Sequence, residues 1–279
     1  MPLGASAAVR RAAQTLADSG SASPDAEART LVAHVAGIDP GRLPLADPLD
    51  DNTVAALDLA VARRVAGEPV QHITGVAHFR TTSLVVGPGV FVPRPETETM
   101  AGWCLEHVQA GSRVVELCAG SGAISKALAI EGPGLDQWAL ELSPDAVSYL
   151  ALNLTGTGVR VIEGDMADGL PELDGTVDLV VVNPPYVPLD AWESVPADVR
   201  DHDPELAVFS GADGLDALRV VADVAARLLC PGGLLAAEHA EVQHAHVVDL
   251  YARHGRWDTV RDHQDLVGRW RFVTARRVL

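Results

Sequence analysis

Leu179-Val180-Val181-Val182-Asn183-Pro184-Pro185-Tyr186 is the stretch from which the rest of the chain can be read. Four consecutive aliphatic residues, three of them β-branched, predict a strand buried on both faces, as in a parallel sheet covered by helices. Two prolines then end it. Asn183 and Pro184 each precede a proline and are pushed out of the helical region, and neither Pro184 nor Pro185 has an N–H with which to continue a ladder. The chain therefore leaves the sheet stiffly, holding one amide side chain and one aromatic ring at fixed positions.

That layout suits a planar nitrogen group. The Asn183 side-chain carbonyl and the Pro184 backbone carbonyl can both accept hydrogen bonds, and the Tyr186 ring can cover a flat or cationic partner. A strand ending in a Pro-Pro turn without chemistry is the bland alternative, and only the surrounding sequence can decide between the two.

Beyond residue 108 strand and helix patterns alternate. Strands are predicted at 113–117, 137–140, 159–162, 177–182, 233–237, 258–262 and 271–275, with helices near 122–131, 144–154, 213–229 and 241–253. Such alternation predicts a doubly wound α/β sheet. Upstream the pattern differs. Three amphipathic helical stretches (5–19, from Pro24 towards Gly37, and from Asp51 or Asn52 to Gly67) make residues 1–70 a small helical domain. Residues 71–94 read as a β-hairpin linker broken at Gly75 and at Gly87-Pro88-Gly89, with His72-Ile73-Thr74 as its first β-type run. The remainder, 95–279, is the α/β domain, opened by a helix with Pro95 at its first position.

Composition narrows the functional classes. At 279 residues the chain can bury a large core. No apolar run approaches the ~18 residues of a membrane span, and the N-terminal stretch, interrupted by Arg10-Arg11, lacks the apolar segment of ~7–15 residues of a signal peptide. A cytoplasmic protein with no membrane partner is expected. Cys104, Cys118 and Cys230 are scattered, so neither a disulfide framework nor a zinc site is indicated. With a net charge of −17 and Lys126 as the sole lysine, the chain repels a phosphate backbone, and no stable nucleic-acid binding is expected.

The chemistry gathers at strand ends. Glu116-Leu117-Cys118-Ala119-Gly120-Ser121-Gly122 joins the first strand of the α/β domain to its helix, where small residues let backbone approach a ligand. Glu141 ends the next strand, about 25 positions after Glu116, and an acidic residue near that spacing bonds ribose hydroxyls. Asp165-Met166 ends the third, offering a carboxylate and a soft apolar chain to a heterocycle. In an open α/β sheet, ligands bind beyond the carboxyl ends of strands where the order reverses. With an order 3-2-1-4-5, the glycine loop and Asn183–Tyr186 share one crevice, a nucleotide seat beside a nitrogen seat. This is the layout of methyl transfer from S-adenosylmethionine. A complete Gly-x-Gly-x-x-Gly for a dinucleotide is absent, as is a phosphate-binding loop ending in Lys.

Here the sequence resembles a known family. Residues 67–75 (GEPVQHITG), residues 89–98 (GVFVPRPETE), the glycine loop, Asn183–Tyr186 and Asp213-Gly214-Leu215 are similar to the release-factor glutamine N5-methyltransferases, the HemK/PrmC family, over roughly residues 65–279. Asn-Pro-Pro-Tyr alone is shared with adenine-N6 and other nitrogen methyltransferases. The resemblance implies a class I S-adenosylmethionine-dependent methyltransferase fold, Rossmann-like with a seven-stranded mostly parallel sheet, preceded by a helical domain. It implies that the substrates are class I peptide chain release factors, methylated on the glutamine of their Gly-Gly-Gln motif, with S-adenosylhomocysteine as the other product. Cofactor contacts are implied for Cys118, Ala119, Gly120, Ser121, Gly122, Glu141, Asp165, Met166 and Asn183. The acceptor glutamine is placed along Asn183, Pro184, Pro185 and Tyr186, with Asn183, Pro184 and Tyr186 carrying the reaction. One departure stands out: Cys118 occupies a position where the family commonly has glycine. Negative φ is expected at Cys118, since positive φ would strain it.

The expected mechanism is a one-step in-line displacement. Two acceptors would hold the N–H groups of a poorly nucleophilic amide, orient its lone pair, and favour the charge developing on nitrogen. No dedicated general base is visible at the motif, and the nitrogen's proton can leave after transfer. A nucleic-acid amino-methyltransferase, a methyltransferase for another protein glutamine, and a non-catalytic cofactor-binding module are the alternatives. Glu238-His239, Glu241, His244 and His246 have some metal-like spacing but read better as a polar helix start, and no metal is expected. His202, among Asp198, Asp201, Asp203 and Glu205, reads as a solvated loop over the site. Arg94 and Glu96 are candidates for closing the pocket or bracing the hairpin. The helical domain would recognise the protein substrate, and a monomer is expected.

Overall fold

The computed structural model describes residues 3–194 and 197–278. Contacts divide the chain into two compact units, one ending at Val76 and one beginning at Ala77.

The first unit is helical: α1 (Ala5–Asp18), α2 (Pro24–Ala36), α3 (Asp51–Val65) and α4 (Val70–Thr74). Pro24 occupies the first turn of α2, where a missing N–H costs nothing, and Gly37 closes that helix at φ 64°. Asp50 caps α3 by accepting from the Thr53 N–H. Leu16, Leu31, Val32, Leu57 and Val61 meet in its core. Glu27 accepts from both Nε and Nη2 of Arg64, tying α2 to α3. The β-type run at 72–74 forms α4 instead. Pro69 starts that turn and Gly75, left-handed at φ 75°, stops it, while Val70 and Ile73, three apart on one helical face, bury in the same core.

The boundary falls at the first residue of a hairpin, β1 (Val76–Phe79) and β2 (Thr82–Val85), which is followed by α5 (Thr97–His107). Alternation follows: β3 (Arg113–Leu117), α6 (Ala123–Glu131), β4 (Asp136–Glu141), α7 (Pro144–Leu154), β5 (Arg160–Glu163) and β6 (Val177–Val182). Two short helices, α8 (Ala197–His202) and α9 (Glu205–Val208), precede α10 (Asp216–Leu228), β7 (Leu229–Glu238), α11 (His244–Arg253), β8 (Trp257–Gln264) and β9 (Trp270–Arg277). Every strand predicted for this domain is present, and β7 starts earlier than expected.

The seven strands lie in the order β5-β4-β3-β6-β7-β9-β8. All neighbours from β5 to β7 are parallel, while β9 runs antiparallel to both β7 and β8. The order reverses between β3 and β6, as expected. β6 alternates between the two cores: Val180 and Val182 pack with Leu218, Val221 and Tyr251 of α10 and α11, and Leu179 and Val181 pack with Met100, Ile124 and Leu128 of α5 and α6. Burial on both sides is why this strand is aliphatic throughout. Among the described residues, no helix is long and apolar enough to cross a membrane.

Candidate active site

Strand register aligns the chemistry. Leu117 pairs with Leu140 of β4 and with Val182 of β6, and Val182 pairs with Ala237 of β7. The next residue on each strand is Glu141, Cys118, Asn183 and Glu238. These four stand side by side one step beyond the last common rung, at the carboxyl edge where the strand order reverses. The glycine loop and the Asn183–Tyr186 segment therefore leave the sheet as neighbours.

On the β3 side the loop is built around carboxylates. Glu141 Oε2 accepts from the Gly120 N–H at 2.8 Å, and its Oε1 accepts from the N–H groups of Leu142 and Ser143 at 2.9 Å. A carboxylate has about four acceptor positions, so one remains for a hydroxyl. Glu116 lies beneath, buried, and accepts from the Ser125 N–H in the first turn of α6. Burial pushes its carboxyl up to about 8; the Ser125 hydrogen bond opposes that shift and the Glu141 charge adds to it. Asn153 of α7 donates to the Ser121 carbonyl at 2.9 Å and bonds the Val85 backbone both ways, so β2 and the loop share one anchor.

Two glycines in this loop do different work. Around Gly120, at φ 53°, an added Cβ would meet nothing within 4 Å, which leaves an open cradle beside Glu141. At Gly122 a Cβ would stand 2.7 Å from Leu150, so only glycine lets α7 pack this close. Asp165 is exposed at the end of β5 and accepts from the Ala167 N–H at 2.8 Å. Met166 is half-buried, its sulfur 3.6 Å from Cys118 Sγ. Backbone approach, a carboxylate with spare acceptor capacity and a thioether together fit an adenosyl group.

Cys118 corrects the expectation made for it. Its φ is +52°, the left-handed region, so the position does what a glycine there would do and the cysteine bears the strain. The turn demands it, because the chain must swing from β3 to bring the Gly120 N–H onto Glu141. Burial, with the charges of Glu141, Glu116 and Asp165, pushes the thiol's pKa upward, so it stays protonated.

On the β6 side, Asn183 Nδ2 donates to Thr97 Oγ1 at 3.4 Å, and Thr97 donates on to Glu238 Oε2 at 2.7 Å. The Tyr186 hydroxyl donates to Glu238 Oε1 at 3.3 Å. Burial, then the Glu238 charge, keeps the phenol protonated. Behind the tetrapeptide, Gln243 Nε2 donates to the Tyr186 carbonyl at 2.8 Å, and an added Cβ on Gly214 would stand 2.3 Å from that same oxygen. This accounts for the Asp213-Gly214-Leu215 motif: the glycine, at φ 73°, lets the loop lie against the tetrapeptide backbone.

Glu238 and His239 are buried rather than part of a polar helix start. Glu238 ends β7 under the tetrapeptide, and His239 Nε2 sits 3.0 Å from Asp262. Among the described residues, no three His, Cys, Asp or Glu are grouped to hold a metal ion. Asp203 likewise is not solvated: it is buried and accepts from Arg94 at 2.7 Å, while Arg94 stands over the Phe91 ring. Thr97, Asn153 and Gln243 carry no assignment from sequence, and Glu238 carries a different one. Their one available signal was a polar side chain at the end of a buried strand or in a helix facing one.

Residues 7–75 match the family described as PrmC N-terminal domain, and residues 114–202 the family described as Methyltransferase domain. The chain is 48% identical over 277 residues to the release factor glutamine methyltransferase of Streptomyces coelicolor, covering 98% of each. It is 41% identical over 241 residues to the 4-amino-L-phenylalanine/4-methylamino-L-phenylalanine methyltransferase of Streptomyces pristinaespiralis, covering 83% of this chain and 81% of that one. A crystal structure of a methyltransferase from Pyrococcus furiosus shares the fold at a TM-score of 0.51 and 17% identity, over 70% of this chain and 89% of that one. The near-full-length identity decides the assignment, and the chain belongs to the release factor glutamine methyltransferase family.

Proposed function

We propose that this protein transfers a methyl group from S-adenosylmethionine to the side-chain amide nitrogen, N5, of the glutamine in the Gly-Gly-Gln motif of class I peptide chain release factors. The carrying observation is the shared register, which makes Cys118, next to the open cradle at Gly120, and Asn183 adjacent one step beyond the last common rung. Residues 118–122, Glu141, Asp165 and Met166 would hold the cofactor, which when bound supplies an electrophilic methyl group.

The chain's own residues prepare the acceptor. A glutamine nitrogen is a weak nucleophile because its lone pair is delocalised into the carbonyl. The Asn183 side-chain oxygen and the Pro184 carbonyl accept its two N–H groups, aim the lone pair into the crevice and stabilise positive charge as it develops on nitrogen. The prolines that follow each acceptor residue fix its backbone before substrate arrives, so little ordering of the main chain remains at the reaction step. Pro185 and the Tyr186 ring wall the amide from water. All these groups come from one chain, so a monomer suffices, and a translation factor as substrate sets the reaction in the cytoplasm.

The test is incubation with labelled methyl donor and a release factor carrying Gln or Ala at the acceptor position. Label is expected only on the Gln form, and Asn183→Ala should lower turnover on the order of 10²-fold with donor affinity retained. Label on the Ala form, or on RNA, would overturn the assignment. The 41% identity to an aromatic-amine methyltransferase favours including 4-amino-L-phenylalanine as a competing acceptor. Its methylation in preference to the release factor would move the substrate to small aromatic amines.

A further inference from the structure

We propose that Glu238, acting through Thr97, is the positioning residue that sets which way round the Asn183 amide stands; this rests on the reading of Asn183 as an acceptor for the substrate amide. An amide side chain can present either its oxygen or its NH₂ to the crevice, and only the oxygen can receive a substrate N–H. Nothing in the tetrapeptide itself chooses. The choice is made two hydrogen bonds away.

An ionised carboxylate accepts and cannot donate. Glu238 is 1% exposed and takes one hydrogen bond on each oxygen, from Thr97 Oγ1 and from the Tyr186 hydroxyl. Thr97 has a single hydroxyl proton, and with that proton committed to Glu238 its oxygen can only accept from Asn183. The Asn183 Nδ2 therefore faces Thr97, and its Oδ1 is turned the other way. One buried charge thus orders both side chains of the tetrapeptide, and the hydrogen bonds reinforce one another along the chain.

Protonation reverses the logic. A neutral Glu238 donates one bond, frees the Thr97 proton to point at Asn183, and lets the amide turn its NH₂ to the crevice, where it opposes a substrate N–H. Burial pushes this carboxyl up to about 7. The hydrogen bonds from Thr97 and Tyr186 and the charge of Arg271 on β9 act against that shift, and Glu96 ahead of α5 acts with it. Turnover with bound donor should accordingly fall as pH drops below about 7, while donor binding, governed by the β3 side, should not follow it.

The experiment measures kcat, KM for the release factor and donor Kd across pH 5.5–9 for the wild type, Thr97→Val, Thr97→Ser, Glu238→Gln and Asn183→Ala. Thr97→Val keeps the shape and removes the relay, and is expected to lower kcat about tenfold, the worth of one oriented hydrogen bond, with donor Kd within twofold. Thr97→Ser is expected to restore kcat. Glu238→Gln is expected to lose the acid limb, because the group that titrates is gone. Wild-type kcat in Thr97→Val beside an inactive Asn183→Ala would overturn this inference alone, as would an acid limb that survives in Glu238→Gln. An active Asn183→Ala would overturn the parent reading and this one with it.

Discussion

Cys118 shows what a single position can carry. Its left-handed φ of +52° costs a residue with a Cβ roughly 1–2 kcal/mol relative to glycine. A β-branched side chain would suffer more, so Cys118→Val is expected to lower stability by about 1–2 kcal/mol, read as a fall in Tm, and to weaken donor binding. Cys118→Gly is expected to hold Tm within a few degrees and leave donor Kd unchanged, since relief of strain offsets the missing packing of the thiol against Met166. Isothermal titration and thermal melts check both. The sequence singles out this position and misjudges its backbone. Cysteine is not a turn residue, and the φ is imposed by a hydrogen bond between Gly120 and Glu141 that joins different strands. Thr97 and Glu238 were harder still to see. They are 141 positions apart: the β6–β7 register sets Glu238 beside Asn183, and Thr97 reaches both from the first turn of α5.

Elements were largely legible because burial writes itself into apolar spacing. β3, β6 and α7 fall where the periodicity puts them, and the seven-stranded order follows from alternation plus the reversal rule. Residues 70–74 failed because β-branched content in five residues cannot outweigh a Pro69 start and a Gly75 stop. The helix ends also carry predictions. Glu116 ties the end of β3 to the first turn of α6, and its carboxyl is raised from 4.5 to about 8. A carboxyl raised on folding contributes stability below about pH 4.5 that is lost as pH climbs through about 8. Glu116→Gln should therefore flatten the decline of Tm between pH 5 and 8.5, an outcome read directly from melts across that range. In the loop before α10, Gly214→Ala should cost about 2 kcal/mol or more, since the new Cβ meets the Tyr186 carbonyl and the backbone is at φ 73°. Turnover is expected to fall with it, because the displaced oxygen belongs to the tetrapeptide.

At the scale of the whole molecule the chain is two units with separate cores, helical up to Val76 and α/β beyond. Every candidate cofactor and acceptor residue lies in the second. A single glutamine offers too little surface to separate one protein from others, so the helical unit is expected to supply discrimination. A chain beginning at Ala77 should bind donor with unchanged Kd yet lose preference for intact release factor over a short Gly-Gly-Gln peptide, as competition between the two acceptors would show. The net charge of −17 fits a protein substrate better than a phosphate backbone. The common rung of Leu140, Leu117, Val182 and Ala237 has a last consequence. Because each candidate site residue is counted off from the same row of backbone bonds, the hydrogen-bond ladder itself is the ruler of the proposed site. Loops at the amino ends of these strands can lengthen or shorten without disturbing it. A slip of one residue in any single strand would instead turn that strand's contribution to the opposite face and break the set.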